Sequence, residues 1–143
     1  MKLQFKEIEV IGDGNCLYYS LGRAFNKSQQ ELRQTISDYL IRNRKNRLNG
    51  MLLEEWVSLE KDCEFEEYVR MMRRSGVWGG NMEVSVSSKI FRVNIFILGR
   101  LKGKYKILSS YVWDNEVRNV FLVYDGSHYN YLEVVKNLSG IKT

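Results

Sequence analysis

A cysteine, a histidine and an asparagine could together form a thiol-based catalytic centre in this sequence. Cys16 follows a polar, glycine-rich loop and begins a stretch with helical apolar spacing. The positive end of a helix favours thiolate, the nucleophilic form of cysteine. His128 is the only histidine, and histidine can exchange protons near neutral pH. Asn130 points to the same side as His128 in an extended segment, which predicts an amide oxygen accepting the imidazole Nδ1–H.

The loop in front of Cys16 could stabilise a negatively charged oxygen. Asp13, Gly14 and Asn15 can direct several backbone N–H groups towards one point, as is needed when a thiolate attacks a carbonyl carbon. Cysteine, histidine and asparagine in these roles form a known proteolytic arrangement. The alternatives are that Cys16 is a small buried hydrophobic residue and that His128 is a structural histidine.

Two weaker patterns suggest other functions. Gly12-x-Gly14 before a helix is similar to a dinucleotide-binding fingerprint, but Leu17 stands where the third glycine belongs and Asp13 would repel a pyrophosphate. The basic run 42–47 and the many aromatic residues are compatible with nucleic-acid binding. A charged last helical turn is more often a solvated surface, so we do not expect a nucleic-acid partner.

The composition is that of an ordinary globular protein. The chain has 143 residues, of which 44% are hydrophobic and 27% charged, which is enough for one core and predicts a single domain over residues 1–143. No apolar run approaches the roughly 18 residues that span a bilayer, and neither end carries a secretory or lipidation signal. We therefore expect a cytoplasmic monomer with no membrane partner.

The cysteine count argues against a disulfide scaffold and against a zinc site. Two cysteines are too few for the former, and two cysteines with one histidine are a poor zinc set. We expect free thiols, and no metal or organic cofactor. Cys63 has no histidine near it in sequence, which indicates a structural role.

Hydrophobic periodicity predicts helices first and strands second. Ser28 with Glu31 three residues later is a capping box that begins an amphipathic helix. Helices are predicted over 16–25, 29–42, 51–59, 62–75 and 82–91. Strands are predicted over 93–98, 105–113, 119–124 and 129–135, with a turn at 99–103, and residues 8–11 form either a strand or an extended lead-in. This order predicts an α+β fold in which N-terminal helices pack on a small, mostly C-terminal β-sheet.

Three segments together resemble the ovarian-tumour (OTU) family of papain-like cysteine proteases, most of which are deubiquitinases. Residues 12–21 are similar to the D-G-N-C motif of that family and the helix behind it. Residues 78–83 are similar to its W-G-G-x-x-E helix, and residues 126–130 to its H-Y-N/D motif. The three segments occur in family order, and the resemblance spans about residues 5–135.

The resemblance implies a papain-like OTU fold and a role for each matching residue. Cys16 matches the nucleophile, His128 the general base and Asn130 the residue that orients the histidine. Asp13 matches the aspartate that shapes or stabilises the oxyanion loop, in which we place Gly14 and Asn15.

The implied function is that of a deubiquitinating cysteine protease. Such an enzyme hydrolyses the peptide or isopeptide bond after the C-terminal glycine of ubiquitin, or of a ubiquitin-like modifier, through a thioacyl-enzyme. Trp78 and Tyr129 could wall the channel for the Gly-Gly tail, although Trp78 and Glu83 also match positions that we interpret as architectural. The alternative is a weakly active or inactive OTU-like module that binds ubiquitin.

Overall fold

The structure, a computed structural model, describes residues 3–48 and 50–143, so expectations that touch Met1, Lys2 and Asn49 lie outside the described residues. The elements are β1 (Leu3–Ile8), α1 (Cys16–Phe25), α2 (Gln29–Arg42), β2 (Arg47–Leu48), β3 (Met51–Leu52), α3 (Leu53–Lys61), α4 (Phe65–Met72), α5 (Asn81–Phe91), β4 (Asn94–Leu101), β5 (Lys104–Tyr111), β6 (Asn119–Tyr124) and β7 (Tyr129–Asn137). No helix in this part of the chain is long and apolar enough to cross a membrane.

The main sheet has five strands in the order β1-β7-β6-β4-β5. Strands β4 and β6 are parallel, whereas the other neighbouring pairs are antiparallel. Four of the five strands come from the C-terminal half, which confirms the α+β prediction. Of the two expectations for residues 8–11, the strand was wrong: the first strand is Leu3–Ile8, because the backbone pairs with β7 over that register, and residues 9–11 lead from it towards the cysteine loop.

Helix α1 lies against β7, the strand that begins directly after His128. Its buried side chains include Leu17, Tyr18, Leu21 and Ala24, which recur at helical spacing on one face. This face packs on β7 and joins the main core. Each fully buried leucine contributes roughly 1.5–3 kcal/mol, so the register of α1 on the sheet is strongly determined.

The predicted capping box of α2 is confirmed. The Ser28 Oγ accepts the Glu31 N–H at 3.1 Å, and Glu31 Oε1 accepts the Ser28 N–H at 3.2 Å. These two bonds satisfy N–H groups that a helix start leaves without partners. The buried side of α2 carries Leu32, Ile36 and Leu40.

Several predicted boundaries were wrong, and the backbone explains each. The helix expected from residue 62 begins at Phe65, because Asp62 (φ 52°) ends α3 in the left-handed region. The expected turn at 99–103 is shorter: β4 continues to Leu101, and Lys102 and Gly103 both have positive φ, as tight hairpins require. The β2–β3 hairpin was not predicted, since two-residue strands show no periodicity.

Gly22 offers a test of the packing of α1. Alanine normally favours a helix by about 1 kcal/mol over glycine, but a Cβ at Gly22 would lie 2.3 Å from the Lys27 carbonyl oxygen. We expect Gly22→Ala to lower the free energy of unfolding by about 1–3 kcal/mol in urea denaturation, because the backbone must shift. Arg23→Ala, exposed on the same helix, is the control and should change it by less than about 0.5 kcal/mol. A stabilised Gly22→Ala variant would contradict this packing.

Candidate active site

Cys16 is the first residue of α1 and lies at a narrow cleft. Its side chain is 7% exposed, and neither it nor Cys63 forms a disulfide, as expected. The cleft is lined by Gly14, Cys16, Leu17, Trp78, Gly79, Tyr124, Ser127 and Tyr129. The three segments singled out in the sequence therefore meet in one place, although more than a hundred residues separate the first from the last.

His128 and Asn130 form a hydrogen-bonded pair at the start of β7. The imidazole Nε2 lies 2.8 Å from Asn130 Oδ1, and an amide oxygen can only accept, so Nε2 is the donor. The same oxygen accepts the Val10 N–H at 3.1 Å. The expected Nδ1–H bond was wrong: residues i and i+2 of a strand are about 6.6 Å apart, and Nε2 is the nitrogen that reaches farther from the backbone.

The pairing of Nε2 leaves Nδ1 free for proton exchange. A Cβ placed on Gly12 would lie 3.6 Å from His128 Nδ1, so this nitrogen faces the loop that leads to Cys16. Ser127 and Tyr129, the neighbours of His128 in sequence, line the cleft together with Cys16. The arrangement can orient one imidazole nitrogen and present the other to a thiol.

The turn before β7 holds the backbone of His128 in place. Asp125 Oδ1 accepts the N–H groups of Ser127 and His128, each at 2.9 Å. These bonds keep the pKa of the Asp125 carboxyl below its usual range. Sequence analysis did not single out Asp125, although an aspartate two residues before a serine in a turn is typical of this side-chain-to-backbone bonding.

Asp13 organises the loop in front of the cysteine. Its Oδ1 accepts the Asn15 N–H at 3.1 Å, and its Oδ2 accepts the Tyr19 hydroxyl at 3.2 Å. The Asn15 N–H is therefore occupied, which contradicts its expected use as an oxyanion donor. The Cys16 N–H is better placed, because the first N–H groups of a helix have no acceptor within it.

Gly14 cannot be replaced without moving the backbone. Its φ of +89° is in the left-handed region, and a Cβ there would lie 2.3 Å from the Gly76 carbonyl oxygen. The loop of Asp13 and Gly14 is therefore in direct contact with the segment that follows α4. Gly14 also lines the cleft, so this contact sets the position of one cleft wall.

The side chain of Asn15 is directed away from α1. Its Oδ1 accepts the Gly76 N–H at 2.7 Å and an Arg33 N–H at 2.6 Å, and its Nδ2 donates to Ser75 Oγ at 3.1 Å. Asn15 is the N-cap residue, but it makes no side-chain bond to the helix it caps. Arg33 was missed in the sequence, where the only signal is a charge on the apolar side of α2, three residues before Ile36 and seven before Leu40.

The two expected channel residues differ in burial. Trp78 is 62% exposed and lines the cleft, where a wall of the expected channel would have to be. Tyr129 is buried, and its ring stacks on Tyr124 with the centroids 4.4 Å apart. Gly79 also lines the cleft and packs closely on α1, since a Cβ there would be 2.9 Å from Leu17 Cδ2. The cleft is thus narrow and has aromatic walls.

Glu83 is a buried residue whose carboxyl group bonds to the backbone directly after the cleft residue Gly79. It is 1% exposed, its Oε1 accepts the Gly80 N–H at 2.7 Å, and its Oε2 accepts the Tyr68 hydroxyl. Burial raises the pKa of Glu83, while the two hydrogen bonds act in the opposite direction. The carboxyl group therefore links α4 to the start of α5, which agrees with an architectural role.

A free cysteine at a helix start beside a histidine–asparagine pair, on this fold, is typical of a thiol protease. The profile of the family described as OTU-like cysteine protease matches residues 11–129. The chain belongs to this family.

Known proteins of the family resemble the chain in sequence and in structure. The OVARIAN TUMOR DOMAIN-containing deubiquitinating enzyme 7 of Arabidopsis thaliana is 32% identical over 132 residues, which cover 90% of this chain and 32% of that protein. The first curated relatives are all much longer, and the matches span a third of their length or less.

Solved OTU structures share the fold at low sequence identity. The viral OTU domain protease from Taggert virus superposes with a TM-score of 0.73 at 19% identity, covering 93% of this chain and 81% of that one. The Hazara virus OTU, solved bound to ubiquitin, has a TM-score of 0.70 at 17% identity, covering 93% and 83%. At this identity, the likeness shows the fold.

The tautomer of His128 can be tested directly, because it is the only histidine. The bond to Asn130 Oδ1 requires a proton on Nε2. We expect ¹⁵N NMR of Cys16→Ala, at a pH where the ring is neutral, to show a protonated Nε2 and an unprotonated Nδ1. Asn130→Ala in the same background should reduce this preference. A neutral ring protonated on Nδ1 would contradict the pairing.

Proposed function

We propose that the chain is a deubiquitinating cysteine protease, which cleaves the peptide or isopeptide bond after the C-terminal glycine of ubiquitin or a ubiquitin-like modifier. The observation that carries the proposal is the His128–Asn130 bond beside the cleft that contains Cys16 at the start of α1. Family membership supports it, as do the deubiquitinating relative from Arabidopsis and the ubiquitin-bound viral OTU.

In the acylation step, the Cys16 thiolate attacks the carbonyl carbon of the terminal glycine. The C–N bond to the substrate amine breaks, and the His128 imidazolium donates the proton that the amine needs to leave. Asn130 holds Nε2, so that Nδ1 makes this transfer. The products are a free amine and a thioester between Cys16 and the modifier.

In the deacylation step, water hydrolyses the thioester. The His128 imidazole removes a proton from water, hydroxide adds to the carbonyl carbon, and the bond to the Cys16 sulfur breaks. The modifier leaves as a carboxylic acid, which releases its proton to solvent to become a carboxylate, and the thiolate–imidazolium pair is restored. Both steps pass through a tetrahedral oxyanion.

The backbone at the start of α1 is the proposed oxyanion site. The Cys16 N–H and the Gly14 N–H are the candidate donors, since the Asn15 N–H is bonded to Asp13. The positive end of the helix adds to their effect, because it lies where negative charge develops. We assign Asp13 the role of shaping this loop.

The shape of the cleft fits a tail without side chains. Trp78, Gly79 and the stacked pair of Tyr124 and Tyr129 all line the cleft, and we assign Trp78 and Gly79 to one wall and Tyr129 to the other. We propose that two consecutive glycines pass between these walls. Side chains there would meet the aromatic rings, so the cleft would select for the Gly-Gly ending.

The first test uses ubiquitin with a C-terminal electrophile, measured by intact mass. We expect wild-type protein to form a one-to-one adduct and Cys16→Ala to form none, because the thiolate is the attacking group. Cys63→Ala is the matched control and should react like the wild type, since the Cys63 side chain is absent from the cleft lining. His128→Ala should lower turnover by roughly 10²–10⁴-fold.

The outcomes of this test separate the possible functions. No adduct on wild-type protein, with ubiquitin or with ubiquitin-like probes, would contradict the proposal. Binding of ubiquitin without an adduct would instead indicate the inactive binding module. An adduct that persists in Cys16→Ala and disappears in Cys63→Ala would show that Cys63, and not Cys16, is the nucleophile.

Asn130→Ala should reduce activity without abolishing it. The variant loses the acceptor for His128 Nε2, so the ring samples other orientations, but the thiol and the oxyanion donors remain. We expect kcat on a fluorogenic ubiquitin substrate to fall by roughly 10- to 100-fold, with KM changed much less. Unchanged kcat would show that Asn130 does not orient the histidine.

A further inference from the structure

Arg33 is a buried arginine on α2, and the proposed mechanism does not use it. It is 1% exposed, and its guanidinium makes four hydrogen bonds to neutral oxygens. The acceptors are Gln29 Oε1 at 2.9 Å, Met72 O at 2.9 Å, Asn15 Oδ1 at 2.6 Å and Val77 O at 2.7 Å. The guanidinium carbon also lies 4.0 Å from the centre of the Tyr18 ring.

A buried cation bonded to neutral oxygens is a costly way to fill space. Removing a charge from water is unfavourable, and an apolar side chain of similar size often stabilises a fold equally well. Burial also lowers the pKa of Arg33. The planar fork of arginine can, however, bridge several fixed acceptors at once, which neither lysine nor an apolar residue can do. The role of Arg33 should therefore be found in the positions of the four acceptors that its guanidinium bridges.

One nitrogen of Arg33 bonds to two segments that each lead into the cleft. Nη2 donates both to Asn15 Oδ1, directly before Cys16, and to the Val77 carbonyl, directly before Trp78. Cys16 and Trp78 both line the cleft. The separation of these two cleft residues is thus coupled to a single buried group on a third element.

The same group holds the side chain of Asn15, the residue directly before Cys16. Asn15 Oδ1 accepts from Arg33 and from the Gly76 N–H, so its side chain is held from outside α1. The peptide that follows Asn15 carries the Cys16 N–H, a candidate oxyanion donor. Arg33 does not line the cleft, so any effect on the reaction acts through Asn15 and Val77.

We propose that Arg33 is a positioning residue, which sets the oxyanion donor at Cys16 and the spacing between Cys16 and the Trp78 wall through its shared bonds to Asn15 and Val77. This inference rests on the proposed function, because it concerns the same reaction. By this inference α2 positions cleft residues, although the helix itself contributes no residue to the cleft lining.

The test compares Arg33→Lys with wild-type protein on a ubiquitin substrate. Lysine keeps the charge but loses the fork, so Asn15 and Val77 are no longer held by one group. A misplacement of about 1 Å can cost roughly 100-fold in rate. We expect kcat to fall by roughly 10- to 100-fold, with KM within about threefold and an unchanged pH profile, because the thiol and the histidine are intact.

A second measurement distinguishes positioning from general loosening of the fold. Alkylation of Cys16 by iodoacetamide needs the thiolate but no oxyanion donor. We expect the alkylation rate of Arg33→Lys to stay within about twofold of the wild-type rate, measured in the Cys63→Ala background so that one thiol is followed. Asn15→Ala should lower kcat similarly, and the double variant should lose little more, because both changes remove the same link.

Arg44→Lys is the matched control. Arg44 bonds to Glu54 at 2.7 Å and Glu66 at 2.5 Å and lies 4.5 Å from the centre of the Phe65 ring, away from the cleft. The Arg44→Lys variant should leave kcat unchanged. Equal kcat for Arg33→Lys and the control would overturn the inference, as would parallel losses in kcat and alkylation rate. Absence of turnover in wild-type protein would instead overturn the proposed function.

Discussion

The site depends on how the first turn of α1 is held from outside the helix. A helix start usually satisfies its free N–H groups with a cap side chain, but Asn15 directs its amide to Ser75, Gly76 and Arg33 instead. The first N–H groups of α1 are thereby left free of side-chain caps, and the loop before it is fixed by Asp13 and by the contact of Gly14 with Gly76. A capped helix would be more stable by itself, but its N-terminus would be less available to a developing negative charge.

The second requirement is that β7, the strand directly after His128, lies beside this helix. Strand β7 is an interior strand of the sheet, paired with β1 on one side and β6 on the other, and α1 packs on it. Asn130 is tied to Val10, in the segment between β1 and the cysteine loop. The N-terminal segment and β7 thus meet near the cleft. Burial of apolar side chains along α1 and β7 therefore also determines the relative positions of Cys16 and His128.

Sequence patterns predicted those elements whose signals are local. The Ser28–Glu31 capping box and the strand Asn119–Tyr124 were found where expected, because capping and β-branched runs depend on neighbouring residues. The edges of α3 and β4 were missed, since Asp62 and Lys102 adopt positive φ, which few non-glycine residues do. The sequence analysis expected Nδ1 of His128 to bond to Asn130, whereas the structure has Nε2 there. Residue types do not show which ring nitrogen bonds, because that depends on the distance between the two side chains.

The sequence by itself determined the order of helices and strands, the motifs of the OTU family and the identity of the cysteine, histidine and asparagine that could react. These follow from residue types at short spacing. Only the tertiary structure showed that Asn15 N–H is already bonded, that Trp78 is exposed at the cleft and that Arg33 links the residues preceding Cys16 and Trp78. The physical reason is that a hydrogen bond or a burial depends on which distant segments pack together, and Arg33 meets Asn15, Met72 and Val77 only when α1 and α4 both pack on α2.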